Sequence, residues 1–258
     1  MKTVYLTIDD GPSIAMKDKV DYLAERHIPA VFFCIGEELE RRPEYAIHAI
    51  RRGFVVGNHS RTHPRFSDTA LERCCREIEE TDRIIDALYT AAGTPRPVKW
   101  FRFPFGDKGD LKYGLVFTTG TKADPHRKQY LQSFLRELGY RQPAFTGITY
   151  AFYRQAGLLD DVDWHWTFDV MEYATMETRS LLRPRSLFRI RNLSQVLRRM
   201  DERCPYDPRG TLPRGPRWLG EPASDEIVLL HDHAGTAAMF PRIVERLLAK
   251  PIRFGMGL

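Results

Sequence analysis

The stretch "KTVYLTIDDGPS", Lys2 to Ser13, decides how the rest of the chain is read. Lys2 to Ile8 has the composition of a strand. Two adjacent carboxylates, Asp9 and Asp10, follow at its end, just before Gly11. Like charges side by side at the end of a buried strand are costly unless a cation neutralises them. The remaining sequence has to supply the ligands that would hold one.

Outward from this strand, helical and extended patterns alternate. Residues 14–27 carry Met16, Val20 and Leu23 on one helical face. "PAVFFCIG" (Pro29 to Gly36) is a continuous apolar run, as in a strand buried on both sides. "EELERRPEYAIHAIRRG" is helical, broken near Pro43 and stopped by Gly53. "FVVGNHS" reads as a short strand running into a loop. Ser67 then opens a long helix with Leu71, Cys74, Cys75, Ile78, Ile85 and Leu88 on its apolar side, and Gly93 ends it. Val98 to Phe103 reads as a strand, 126–138 as a helix, and "FTGITY" and "DWHWTFDV" as strands. Residues 187–203 read as a basic helix, "EIVLLHD" as a strong strand, and a helix from about Ala237 closes the chain. Strand followed by helix, so many times over, argues for a parallel sheet. A right-handed closed barrel and an open doubly wound sheet both fit.

Composition excludes several classes. The 258 residues are 43% hydrophobic and 28% charged, which is ordinary globular material, and a net charge of +5 only mildly favours anionic partners. That charge is too small to argue for nucleic acid. No apolar run reaches the length of a membrane span. The strand pattern from Lys2 leaves no room for a leader, so a cytoplasmic place is expected, a trimmed secreted chain being the alternative. No GxGxxG or Walker-type loop occurs. Cys34, Cys74, Cys75 and Cys204 form no CxxC pair; buried free thiols are expected. Residues 1–258 are read as one domain, with a long segment at 107–165 and a Pro/Gly/Arg-rich loop at 204–224. The arginines between Arg183 and Arg217 are read as a solvated basic face. Oligomeric state is left open.

Polar residues gather at the C-terminal ends of the expected strands, where a barrel keeps its active site. "NHSRTHP" places His59 and His63 four apart, a spacing that lets both grip one ion from a single turn. With one carboxylate they form a two-histidine, one-aspartate set with positions left for water. A dication there would neutralise the paired aspartates.

"FRFPFG", "WTFDVMEY" and "IVLLHDH" complete the pattern. Together these stretches resemble the polysaccharide deacetylase family, the NodB-homology or carbohydrate esterase family 4 enzymes. Its five motifs stand here, in family order, as Thr7 to Gly11, His59 to His63, Arg102 to Gly106, Asp169 to Tyr173 and Leu229 to His231. The resemblance implies a distorted (β/α) barrel and a metal-dependent hydrolase that removes acetyl groups from N-acetylated sugars. An O-acetyl esterase, a hydrolase of other non-peptide amides and a non-catalytic carbohydrate-binding barrel are the rival readings. By resemblance, Asp10, His59 and His63 would hold a divalent metal, most often zinc, with cobalt or nickel possible. Asp9 would be the base, held by Arg102. His231 would be the acid, tuned by the fourth motif. The Phe105 N–H would help bind the oxyanion, Leu229 would line the acetyl pocket, and an acetylated carbohydrate would be the partner.

The fourth motif departs from the family pattern. Glu172 stands where the family has Asp, and Tyr173 where it has Trp. Asp160 to Trp164 fits that motif literally and competes for the assignment. Asp169 to Tyr173 is preferred, because Trp166 to Asp169 reads as a strand end. Trp164, Trp166 and Phe168 are expected in the core. His165 and His233 lie near motifs but match no family position; a structural or supporting use is expected.

Overall fold

Every strand in the sheet lies parallel to its neighbour, and β1 (Lys2–Gly11) is the central one. The computed structural model describes residues 1–110, 124–176, 190–201 and 224–257. Within them β1 lies between β2 (Val31–Cys34) and β5 (Glu226–His231). Beyond these come β3 (Val55–Asn58) and β4 (Phe168–Asp169), giving the order β3-β2-β1-β5-β4. A sixth strand, β6 (Ile252–Gly255), pairs with Lys2 to Tyr5 of β1.

Alternation along these strands sorts side chains onto two faces. Leu6, Ile8, Phe32, Val56, Phe168, Val228 and Leu230 join one core with α1 (Met16–Glu25), α3 (Pro43–Arg51) and α8 (Phe240–Leu248). Val31, Phe33, Val55, Ile227 and Leu229 belong to a second core with Trp100, Phe145, Trp164 and Trp166. Strands buried on both faces carry unbroken apolar runs, which is why β2 and β5 were legible.

Among the described residues no ladder joins β3 to β4, and irregular chain lies across the gap. Asn58 forms a single parallel bridge with Phe101. The Trp164 amide donates to the Phe101 carbonyl at 2.9 Å, and the Thr167 amide to the Ile227 carbonyl at 3.0 Å. Residues 164–169 thus run from Phe101, which bridges to β3, to Ile227 of β5, and the parallel sheet with flanking helices is the part of the expected distorted (β/α) barrel that the described residues form.

Several expected elements are replaced. Val98 to Phe103 contributes only the bridge at Phe101. Phe101 and Phe103 pack instead in a third core with Cys74 and Ile78 of α4 (Leu71–Ala92) and Leu131 and Leu135 of α5 (Pro125–Glu137). Pro97 and Pro104 flank this stretch and remove the amides a ladder would need. "FTGITY" is a turn, closed by the Ile148 amide on the Phe145 carbonyl at 3.2 Å. "DWHWTFDV" narrows to the two residues of β4. The helix expected from Ser67 is a 3₁₀ turn at Phe66–Asp68 followed by α4. The break near Pro43 is present, between α2 (Gly36–Arg41) and α3. The short α6 (Ala151–Gln155) and β6 were not expected.

The basic helix is shorter than expected, α7 being Leu193–Arg199; residues 187–189 and 202–203 lie outside the described residues. So does the Pro/Gly/Arg-rich loop, apart from Ser224. Cys34, Cys74 and Cys75 are free thiols, the first two buried as expected, and burial pushes all three thiol pKa values up. Cys204 is not among the described residues. No helix among those residues is long and apolar enough to cross a membrane.

Candidate metal centre and active site

The two aspartates at the end of β1 differ because a β-bulge separates them. In the pairing with β2, Asp9 matches Phe33 and Gly11 matches Cys34, so Asp10 is the extra residue. Its φ of 68° is left-handed. Bulges re-aim side chains in this way, and they gather beside active sites. Asp9 keeps the strand's alternation and is buried.

Arg102, itself fully buried, donates from one Nη to Asp9 Oδ1 at 2.8 Å and to Thr7 Oγ1 at 2.7 Å. Its Nε donates to the Trp164 carbonyl at 2.9 Å. A buried ion pair with this many hydrogen bonds fixes the orientation of the carboxylate.

His59 and His63 do not share a helical turn. They sit on an irregular loop in which Ser60 and His63 have φ of 66° and 57°. Asn58 organises it: its Oδ1 accepts from the Ser60 amide, and its Nδ2 donates to the Ile78 carbonyl and to Tyr140 Oη. Glu77 of α4 accepts from the Thr62 amide and hydroxyl. His59 Nδ1 lies 2.8 Å from the Arg102 carbonyl, an acceptor, so Nδ1 carries the proton and Nε2 presents its lone pair. That Nε2 is 3.4 Å from Asp10 Oδ1, and His63 Nε2 is 3.2 Å from the same oxygen.

One oxygen and two ring nitrogens, all within 4.8 Å of one another, form a donor set suited to a divalent cation. Asp10 Oδ1 is buried yet accepts no hydrogen bond. A cation between the three atoms would satisfy it, so the residues fit the metal that the family resemblance implies. Burial pushes the Asp10 pKa up, but the His233 hydrogen bond and the adjacent imidazoles of His59 and His63 outweigh it and hold this carboxyl well below the usual range.

On the other side stands His231 at the end of β5. Glu172 Oε1 accepts from the His231 amide and lies 3.3 Å from its Nδ1. The extra methylene of Glu172 therefore does not prevent contact. Burial disfavours the imidazolium, but the hydrogen bond and charge of Glu172, with Asp10 and Asp169 behind it, raise the His231 pKa to about 10. Burial raises that of Asp169 to about 6. Tyr173 packs edge-on against the His231 ring, centroids 4.5 Å apart, and its hydroxyl reaches Asp169. Met171, between them, has φ of 62°.

The preferred register of the fourth motif thus lies beside His231. The competing one lies elsewhere: Asp161 and Asp163 grip the fully buried Lys108 at 2.7 and 3.0 Å. This network anchors the start of the 107–165 segment under α5, where Gln132 also bonds Asp163. Trp164, Trp166 and Phe168 are core residues, as expected. His165 is buried and stacked on Trp166, and burial lowers its pKa well below the usual range.

Phe105, at φ 59°, is partly exposed at the rim and packs on His63 at 4.5 Å, with the Arg65 guanidinium 4.4 Å above its ring. Leu229 is buried in the second core, two residues before His231. Two contacts were not specified by the sequence, although a supporting use was expected for His233. Asp232 accepts from Ser13 and from buried Lys19, tying the chain after His231 to the start of α1. His233 Nε2 lies 2.9 Å from Asp10 Oδ2.

Comparison with known proteins agrees with the motifs. Residues 1–122 match the family model described as polysaccharide deacetylase, a span holding the first three motifs. A chitooligosaccharide deacetylase of Rhizobium leguminosarum bv. phaseoli is 39% identical over 106 residues, 40% of this chain and 44% of that protein. A peptidoglycan-N-acetylglucosamine deacetylase of Bacillus cereus is 32% identical over 105 residues, 40% of this chain and 36% of that protein. The matches thus span about half or less of these curated relatives. The likeness in fold extends further. A family 4 carbohydrate esterase from Streptomyces lividans superposes with a TM-score of 0.58 at 21% identity, over 99% of this chain and 92% of that one. A family 4 pseudoenzyme from Bacillus anthracis gives 0.56 at 17% identity, over 98% and 63%. The resemblance to the polysaccharide deacetylase family is borne out, in sequence over the first 122 residues and in fold over nearly the whole chain.

Proposed function

We propose that this chain, similar to polysaccharide deacetylases through its first 122 residues, is one domain of that type and a metal-dependent hydrolase that removes acetyl groups from N-acetylated sugars. The observation that carries the reading is the unsatisfied Asp10 Oδ1 facing two imidazole Nε2 atoms, with an anchored carboxylate and an anchored imidazole on either side. The chitooligosaccharide and peptidoglycan deacetylases among its relatives point to N-acetylglucosamine-containing chains as the substrate class.

Asp10, His59 and His63 would hold the ion, for which zinc suits the mixed nitrogen and oxygen donors, cobalt and nickel being the alternatives. When bound, it supplies Lewis acidity to water and to the acetyl carbonyl. Asp9, fixed by Arg102 and Thr7, takes the proton from the attacking water. The Phe105 N–H donates to the oxygen that gains charge. His231, kept protonated by Glu172 and Asp169, gives its proton to the departing amine. Leu229 lines the space for the acetyl methyl, and Tyr173 buttresses the acid.

Fold alone does not separate this reading from a non-catalytic barrel, since a pseudoenzyme shares it. What favours the enzyme is that Glu172, the family departure, still contacts His231. The test is elemental analysis of the wild type and His59→Ala, with acetate release from chitooligosaccharides measured alongside. About one ion per chain, lost in the variant together with acetate release, is the expected result. Metal without acetate release directs attention to O-acetyl esters and other amides. A chain that takes up no zinc or cobalt overturns the reading.

A further inference from the structure

Asp10 has two carboxylate oxygens, and the structure treats them differently. Oδ1 faces His59 and His63. Oδ2 accepts a hydrogen bond from His233 Nε2 at 2.9 Å. The acceptor is a carboxylate, so Nε2 carries the proton, and Nδ1 is left buried without a partner. His233 therefore faces the metal centre as a donor with its proton aimed at Oδ2.

The loop that carries it is fastened to the loop that carries Asp10. The Asp232 amide donates to the Asp9 carbonyl at 2.7 Å. Asp232 accepts from the Ser13 amide at 2.6 Å and from Lys19 Nζ at 2.8 Å, in a buried ion pair. The His233 carbonyl accepts from Thr236 Oγ1 at 3.1 Å, and its ring stacks on that of His231 at 5.6 Å. The Asp10–His233 distance is thus set by contacts on both sides of the bond.

We propose that His233 is a positioning residue of the metal centre: by donating to Asp10 Oδ2 it restricts Asp10 to one ligating oxygen, Oδ1, and raises the affinity of the site for its ion. The inference rests on the proposed metal binding by Asp10, His59 and His63. It adds a residue outside the five motifs. Loss of a hydrogen-bond partner to a ligating group costs about 10–100-fold in metal affinity.

The test is zinc affinity, read by competition with a chromogenic chelator, on metal-stripped wild type, His233→Ala and His233→Gln. The visible absorption spectrum of each cobalt-loaded protein is recorded as well. Gln places an amide N–H near the position of Nε2 but is a poor zinc ligand. The expected result is about 10–100-fold weaker zinc binding and an altered cobalt spectrum in His233→Ala, with His233→Gln close to wild type in both. Unchanged affinity in His233→Ala overturns the inference and leaves the metal site standing. Equal losses in Ala and Gln overturn it too, because the ring would then act as a ligand or by packing. A wild type that binds no zinc overturns the inference and the functional reading together.

Discussion

Asp9 and His231 are register partners across the parallel pair β1 and β5. The proposed base and the proposed acid therefore stand on adjacent strands at the same level, each held by its own partner, Arg102 for one and Glu172 for the other. Their separation is set by strand spacing, about 5 Å between neighbouring backbones, and not by a mobile loop.

Isosteric changes one residue apart should have different effects. Asp9→Asn is expected to lower kcat by about 10²–10⁴-fold, the usual worth of a general base, while bound metal stays at wild-type level. Asp10→Asn should lose the metal itself. Elemental analysis beside acetate-release kinetics checks the pair. Metal loss in both would mean that Asp9 is also a ligand.

The raised pKa of His231 predicts an alkaline limb in activity. This folded pKa, about 10, lies above the ordinary 6.5. The stabilisation it brings is complete below about 6.5 and disappears as pH rises through 10. A cation on Asp10 cancels one of the charges that raise it, so the limb of the loaded enzyme should fall between those two values. Glu172→Gln removes the largest raising influence and should move the limb to lower pH. A pH–rate profile of kcat/KM for both proteins decides it; an unmoved limb would detach Glu172 from the acid. Asp10 acts in the opposite direction. Its pKa is depressed, so the stability it confers on the metal-free protein is present above about 3.8 and is lost as pH falls towards its folded value.

Arg102→Met should cost both stability and rate. It leaves Asp9 buried without its cation, and breaking one side of a buried pair costs about 3–5 kcal/mol. Arg102→Lys should recover only part of this, because lysine cannot reach Asp9, Thr7 and the Trp164 carbonyl together. Denaturant midpoints rank the three proteins.

Lys108→Met tests a site with no assigned chemistry. Burial lowers the Lys108 pKa, but Asp163 and Asp161 outweigh it and keep the ammonium charged. Removing it leaves Asp163 buried with only the Gln132 amide, while Asp161 keeps the half-buried Lys128 at 2.9 Å, and the loss is up to about 3–5 kcal/mol. The triple change with Asp161→Asn and Asp163→Asn should restore part of that loss. Chemical denaturation of both variants provides the comparison, and no loss in Lys108→Met would show that water enters the cluster.

The strands that carry the site were legible because they are buried on both faces and end in polar motifs. β1, β2 and β5 show this directly. Val98 to Phe103 misled because Phe101 and Phe103 pack beneath α4 and α5 while Trp100 enters the second core, a choice that local pattern does not encode. β6 was missed because it is four residues long, half-buried and preceded by Pro251. The motif residues were readable as chemistry, but their geometry was not. The spacing of His59 and His63 suggested one turn of chain, and the loop instead takes left-handed corners at Ser60 and His63. The contact of His233 with Asp10 spans 223 residues and belongs to no motif, so only the folded chain brings it out.

The bulge at Asp10 has a consequence for how few residues separate an active chain from an inert one. Two chemically identical side chains, adjacent in sequence, receive different assignments because the ladder to β2 counts one residue too many between Phe33 and Cys34. Shortened by one, β1 would run in step with β2 to its end and offer a single acid, able to grip an ion or to accept a proton but not to do both. An insertion of one amino acid is then enough to turn the tip of an ordinary strand into a two-function terminus.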